Sequence, residues 1–209
     1  MKIIIYLGLI VLLLWGLFRY LLQQSKQPTG IVGGYMMKLW NKVYLPMVEW
    51  SLAYIPEYEI KKILDVGVGN GQSTKRLAQK FPHAHIYGID ISEKAIEQAK
   101  KMNANTKITF ERKDVVETSY PADYFELICV YQNHFHWSDL DKSLAELKRV
   151  LATEGTIIIA CEISKANYYL PDFKKEENFA IYLHSVGLSL IQMKKTTNWV
   201  LYELKKLHK

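Results

Sequence analysis

The chain has 209 residues, 49% hydrophobic and 23% charged, which suits one principal domain with an appendage and excludes a disordered polymer. Its two cysteines, Cys129 and Cys161, both lie in apolar runs without CxxC spacing, so they read as buried reduced thiols rather than a disulfide framework or zinc pair. The net charge of +6 is carried largely by the C-terminal end, where residues 174–209 hold seven lysines against three glutamates; with no arginine-rich stripe elsewhere, no nucleic-acid partner is expected.

In chain order, residues 3–18 (IIIYLGLIVLLLWGLF) carry no charge, and the run extends through Arg19-Tyr20-Leu21-Leu22. Twenty residues at about 1.5 Å each cover a hydrocarbon core of about 30 Å, so residues 1–22 are expected to be a single transmembrane helix. No small-residue cleavage site follows, which disfavours a signal peptide. Lys2 alone precedes the run, whereas Arg19, Lys26, Lys38 and Lys42 follow it. That asymmetry predicts a single-pass membrane protein with the bulk of the chain on the cytosolic side. Residues 23–34 (QQSKQPTGIVGG) read as a linker, and residues 35–209 as the domain. In a helical lead-in segment, residues 35–55, Met36, Leu39, Trp40, Val43 and Tyr44 recur at helical spacing, and Pro46 divides the pattern into two helices. The segment reads either as a packing helix or as a lid carrying Tyr35, Trp40 and Tyr44.

The pattern then alternates. Strands are expected over residues 62–67, 84–90, 108–112, 125–131 and 156–161, with helices over 72–81, 93–102 and 139–151 between them. A helix over 179–186 and a strand pair over 189–194 and 198–204 complete the chain. Apolar strands interleaved with amphipathic helices predict an α/β fold: a Rossmann-like, doubly wound, seven-stranded sheet, mostly parallel with a terminal antiparallel strand.

The stretch Asp65-Val66-Gly67-Val68-Gly69-Asn70-Gly71 falls where the first strand ends and a helix begins, the position at which open α/β sheets bind ligands. Asp90 ends the second strand nineteen residues after Gly71, where a carboxylate can accept both hydroxyls of a ribose. Nicotinamide enzymes use G-x-G-x-x-G turns that meet a pyrophosphate. Here the spacing is G-x-G-x-G, and Asp65 would repel a pyrophosphate but suit an amino group or a sulfonium. A nicotinamide-dependent oxidoreductase and a membrane-anchored cofactor-binding module without turnover stand as the alternatives.

The ordered set ILDVGVGNG (63–71), IYGIDIS (86–92) with AIEQAKK after it, KDVVE (113–117) and DLDKSLAELKRVLATEGTIIIA (139–160) resembles the class I S-adenosylmethionine-dependent methyltransferases of small-molecule type. The resemblance covers residues 60–162 well and the rest loosely. It implies S-adenosyl-L-methionine as cofactor, with its methionine portion held by Asp65 and the Gly67, Gly69 and Gly71 backbone. It further implies that Asp90 binds the ribose hydroxyls, Ile91 packs on the adenine, and Asp114 with Val115 meets the adenine amine and edge. Gln132 would lie beneath the reactive methyl group, and no metal is implied.

Subfamilies that methylate DNA bases or amide nitrogens carry Asn/Asp-Pro-Pro-Tyr after the fourth strand, but this chain has Tyr131-Gln132-Asn133-His134-Phe135-His136-Trp137. His134 and His136 are candidate general bases for a hydroxyl acceptor, since an imidazole ordinarily titrates near 6.5. The expected partners are the membrane and a small-molecule or lipid-soluble acceptor.

Overall fold

The computed structural model describes residues 2–26, 30–55, 59–104 and 107–207, in two compact units that divide the chain between Tyr44 and Leu45. The first unit holds α1 (Lys2–Lys26) and the start of α2 (Gly30–Leu52). Among the described residues no helix is long and apolar enough to cross a membrane. This corrects the expected transmembrane helix over residues 1–22, and with it the membrane partner and the single-pass, cytosol-facing localisation.

Residues 30–34 of the expected linker are helical, and residues 27–29 lie outside the described residues. Helix α2 also runs through Pro46 instead of dividing there. Proline removes one intrahelical donor and can bend a helix without ending it. Of the expected lid, the Trp40 side chain lies outside the described residues, and Tyr35 is an exposed residue of the first unit.

The second unit alternates as expected: β1 (Lys62–Val66), α3 (Gln72–Lys80), β2 (His85–Asp90), α4 (Glu93–Met102), β3 (Ile108–Arg112), β4 (Phe125–Tyr131), α5 (Leu140–Val150) and β5 (Leu151–Glu162). Helices α6 (Ile163–Tyr169) and α7 (Glu176–Ser185) precede β6 (Leu188–Lys195) and β7 (Trp199–Lys206). The seven strands lie in the order β3-β2-β1-β4-β5-β7-β6. β7 runs antiparallel to both its neighbours, and the other pairs are parallel.

The central strands β1 and β4, and β5 from Gly155 onward, are buried along nearly their whole length because helices cover both faces. On one face, Leu144, Leu147 and Val150 of α5 and Phe179 and Leu183 of α7 pack with Phe125, Ile128 and Ile157. Ile96 and Ala99 of α4 close on Val68 and Phe110 in a smaller cluster. Residues 163–175 were assigned no element from the sequence, yet they form α6 and a 3-10 turn, Pro171–Phe173. The first strand sits between β2 and β4, so successive crossovers leave it in opposite directions. That reversal opens a crevice at its carboxyl end.

Candidate active site at the carboxyl end of the sheet

The glycine turn leaves β1 and enters α3, and its glycines serve different physical needs. A side chain at Gly67 would collide with the Asn133 carboxamide, and one at Gly71 would lie 2.7 Å from Asn103 Nδ2 and 3.1 Å from the Ala99 backbone. Both positions are closed by the protein itself. All three have a positive φ that L side chains rarely adopt, but Gly69 differs in space: a Cβ there meets nothing within 4 Å. The open face of the turn is therefore at Gly69.

Two carboxylates flank it. Asp65 is 1% exposed; its Oδ2 accepts hydrogen bonds from Ser73 Oγ (2.9 Å) and Thr74 Oγ1 (2.7 Å), while buried Oδ1 has no protein partner. Burial raises its pKa from 3.8 to about 7, against the opposing pull of the two hydroxyls. Asp90 is half-buried and braces the turn, its Oδ2 accepting from the Gly69 amide and its Oδ1 from the Ser92 amide, each at 2.9 Å. Burial raises its pKa too. Each Asp90 oxygen keeps a second lone pair for a ligand hydroxyl.

Ile91, immediately beyond, is 65% exposed, an apolar side chain beside a ribose-competent carboxylate. Asp114 turns its Oδ1 onto the Val116 amide at 3.1 Å, and the Val115 side chain belongs to the core, so only the Val115 backbone can face a ligand. At the end of β4, Gln132 adopts a φ of +60°, and its Oε1 accepts from the Glu162 amide at 3.0 Å, tying β4 to the end of β5.

Sequence reasoning missed the residues that hold this geometry. Ser73 and Thr74 brace Asp65, and Asn133 donates Nδ2 to the Val66 carbonyl at 2.5 Å and the Tyr131 carbonyl at 3.2 Å. Asn103 donates to the Gly71 carbonyl at 3.3 Å and the Ala99 carbonyl at 2.9 Å. The adjacent hydroxyls in the first turn of α3, one turn from a buried acid, were the available signal. No local pattern marks Asn103 or Asn133, which act across 32 and 67 residues.

The two histidines separate. His134 and His136 bound a 3-10 turn after β4, but His134 is 3% exposed and His136 is exposed. Burial, with a smaller contribution from His136, lowers the His134 pKa to about 3, and its Nδ1 has no partner. The ring borders a small apolar void with Leu170, Phe173, Phe179 and Tyr202, so His134 is a neutral packing residue and a weak base. A cavity of about 100 Å³ lies next to that void, among Ile163, Ala166, Phe173, Met193, Val200 and Tyr202, well below the few hundred Å³ of a cofactor pocket. Among the described residues, no cluster of three His, Cys, Asp or Glu side chains could hold a metal ion.

Residues 63–155 match the family described as "Methyltransferase domain". The probable chloroplastic tocopherol O-methyltransferase of Oryza sativa subsp. japonica is 28% identical over 189 residues, covering 76% of this chain and 51% of that protein. The demethylmenaquinone methyltransferase of Bacteroides fragilis is 30% identical over 113 residues, 52% of this chain and 46% of that protein. The chain thus spans about half the length of the curated relatives it matches. Among solved structures, a chain from the complex between the Haloferax volcanii Trm112 methyltransferase activator and a methyltransferase superposes with a TM-score of 0.71. It is 15% identical, and the match covers 82% of this chain and 93% of that one. Residues 63–155, which hold the glycine turn, Asp90 and the turn after β4, are thus similar to a methyltransferase domain, and the sheet around them has the fold of solved methyltransferase structures. A SAM dependent methyltransferase from Aquifex aeolicus shares the fold, with a TM-score of 0.66 at 17% identity over 75% of this chain and 88% of that one.

Proposed function

We propose that this chain transfers a methyl group from S-adenosylmethionine to a small-molecule acceptor, with residues 35–209 as the functional domain. The observation that carries the reading is the pairing of an open Gly69 with a buried, half-satisfied Asp65. Oδ1 of Asp65 has no protein partner, and the cofactor's amino group is a cation suited to fill that need. Asp90, Ile91 and the turn at Asp114 and Val115 then form the nucleoside side, with Gln132 at the reacting end.

Bound S-adenosylmethionine supplies an electrophilic methyl carbon on a sulfonium, a good leaving group. The chain's own residues contribute position more than acid–base chemistry. Asp65 and the glycine backbone hold one end of the cofactor, Asp90 the other, and the turn after β4 limits the approach of the acceptor to one side. For a hydroxyl acceptor, exposed His136 takes the proton as the new bond to carbon forms. The relatives named for tocopherol and demethylmenaquinone methylation support a small-molecule acceptor.

Titration calorimetry tests this reading. The full chain should bind S-adenosylmethionine and S-adenosylhomocysteine and gain thermal stability from both, with no response to nicotinamide dinucleotides. Dinucleotide binding without sulfonium binding would reverse the choice. Mass spectrometry of cell extracts with and without the protein should then reveal products heavier by one methyl group.

A further inference from the structure

The stretch after β4 and the helix after β5 meet in a set of rings that the cofactor seat does not use. Phe135 stacks on Tyr169, with centroids 5.3 Å apart and planes 3° from parallel. His136 meets the edge of Tyr169 at 4.8 Å, and Tyr168 meets it at 4.9 Å. Phe135 is buried beneath, whereas Tyr168 is 78% and Tyr169 45% exposed. Two large rings on one short helix are thus held in place from below and left open above.

Their location is fixed by the same contacts that build the site. Asn133, the residue before this turn, hydrogen-bonds the last carbonyl of β1 and touches the glycine turn at Gly67. Gln132 ties the turn to Glu162, after which α6 begins. β4 lies directly beside β1, so the wall starts one strand spacing, about 5 Å, from the strand that carries the glycine turn. The nearest charges on α6 and its N-cap, Lys165 and Glu162, are paired with each other at 2.7 Å, which leaves the ring faces as the surface on offer.

We propose that His136, Tyr168 and Tyr169 form the acceptor subsite, and that the acceptor is a planar aromatic compound held face-on or edge-on by these rings. The inference rests on the methyltransferase reading and supplies its substrate class. A flat aromatic ring gains both apolar contact and ring–ring geometry there, whereas a saturated ring of equal size gains only contact.

Two probes separate those contributions: 2-naphthol, which is planar, and decahydro-2-naphthol, which has the same skeleton and hydroxyl but is not. Binding to the full chain saturated with S-adenosylhomocysteine is read by saturation-transfer NMR and by titration calorimetry. The planar probe should bind about tenfold more tightly than the saturated one. Tyr168→Leu, at an exposed position, and Tyr169→Leu should each reduce that preference by about threefold. Tyr169→Phe should preserve it, and S-adenosylhomocysteine affinity should stay within about twofold throughout. Equal affinity for the two probes, or a preference untouched by both leucine variants in folded protein, overturns the aromatic subsite while leaving the cofactor reading intact. Failure of S-adenosylhomocysteine to bind would instead remove the reading on which the subsite rests.

Discussion

Replacing Asp65 with asparagine should stabilise the unliganded protein at alkaline pH and abolish its cofactor binding. The carboxyl is fully buried, and its pKa stands at about 7 in the folded state against an ordinary value of 3.8. Between those values the unfolded chain is ionised while the folded one holds a proton, so stability falls as pH rises. The favourable contribution is complete below 3.8 and is lost as pH passes 7. A shift of about three units corresponds to about 4 kcal/mol at 1.36 kcal/mol per unit.

Asparagine cannot ionise, so it escapes that penalty. Its Oδ1 can accept from the Ser73 and Thr74 hydroxyls as Asp65 Oδ2 does, but its amide hydrogens occupy the place of the unpartnered Oδ1, at a cost of about 1–3 kcal/mol. The net expectation at pH 8 is an unliganded Asp65→Asn protein about 1–3 kcal/mol more stable than the parent. For a domain of this size that raises Tm by about 2–10 °C. At pH 5.5, where the parent carboxyl is protonated, the advantage should vanish. Thermal unfolding followed by circular dichroism at the two pH values, with and without S-adenosylmethionine, measures all of this. The ligand should raise Tm of the parent and leave the variant unmoved. A variant less stable than the parent at pH 8, or one that binds the cofactor normally, would refute the argument that an uncompensated buried carboxylate is held for the ligand.

Gly69→Val should lose cofactor affinity by more than about 100-fold, because its side chain enters the open face, and should also lose stability of about 1–3 kcal/mol, because a β-branched residue is strained at a φ of +53°; Gly71→Ala should cost about 2 kcal/mol or more of stability in chemical denaturation, because its methyl meets Ala99 and Asn103. Asp90→Ala should weaken S-adenosylhomocysteine binding by about 1.5–3 kcal/mol in calorimetry and loosen the turn, since the Gly69 and Ser92 amides lose their acceptor. His136→Ala should slow transfer to a hydroxyl acceptor by about 10²–10⁴ with cofactor affinity retained. His134→Leu should leave denaturant stability within about 1 kcal/mol of the parent or raise it, since an unpartnered buried nitrogen is replaced by an apolar side chain.

The sheet was legible because its signals are local. Apolar runs such as ICV in β4 and III in β5 can only be buried strands once helices of clear period lie between them. The sequence placed α4, β3 and β4 at the residues where they occur. It lost α6 because ISKANYY is only seven residues long, too short for a period to show, with Ile163 and Ala166 facing the core and Tyr169 stacked on Phe135. It misjudged Pro46 because a proline's local preference was allowed to outweigh the helix on either side.

At the site, the letters marked the turn and its two carboxylates but could not rank the three glycines or the two histidines. Spacing treats Gly67, Gly69 and Gly71 alike. Yet two of them are closed by asparagines distant in sequence, and only Gly69 faces open space. Likewise HFH offers two imidazoles two residues apart, which on a 3-10 turn must diverge. One goes into the apolar core, where its basicity collapses, and the other stays at the rim beside Tyr169. What decides function at each position is thus what lies across from it. Asn133 shows why: its amide is oriented because Nδ2 has two carbonyls to satisfy, and that orientation closes Gly67, holds the end of β1 and projects the next three residues toward α6. A single side chain, invisible as a motif, connects the cofactor turn to the surface that receives the acceptor.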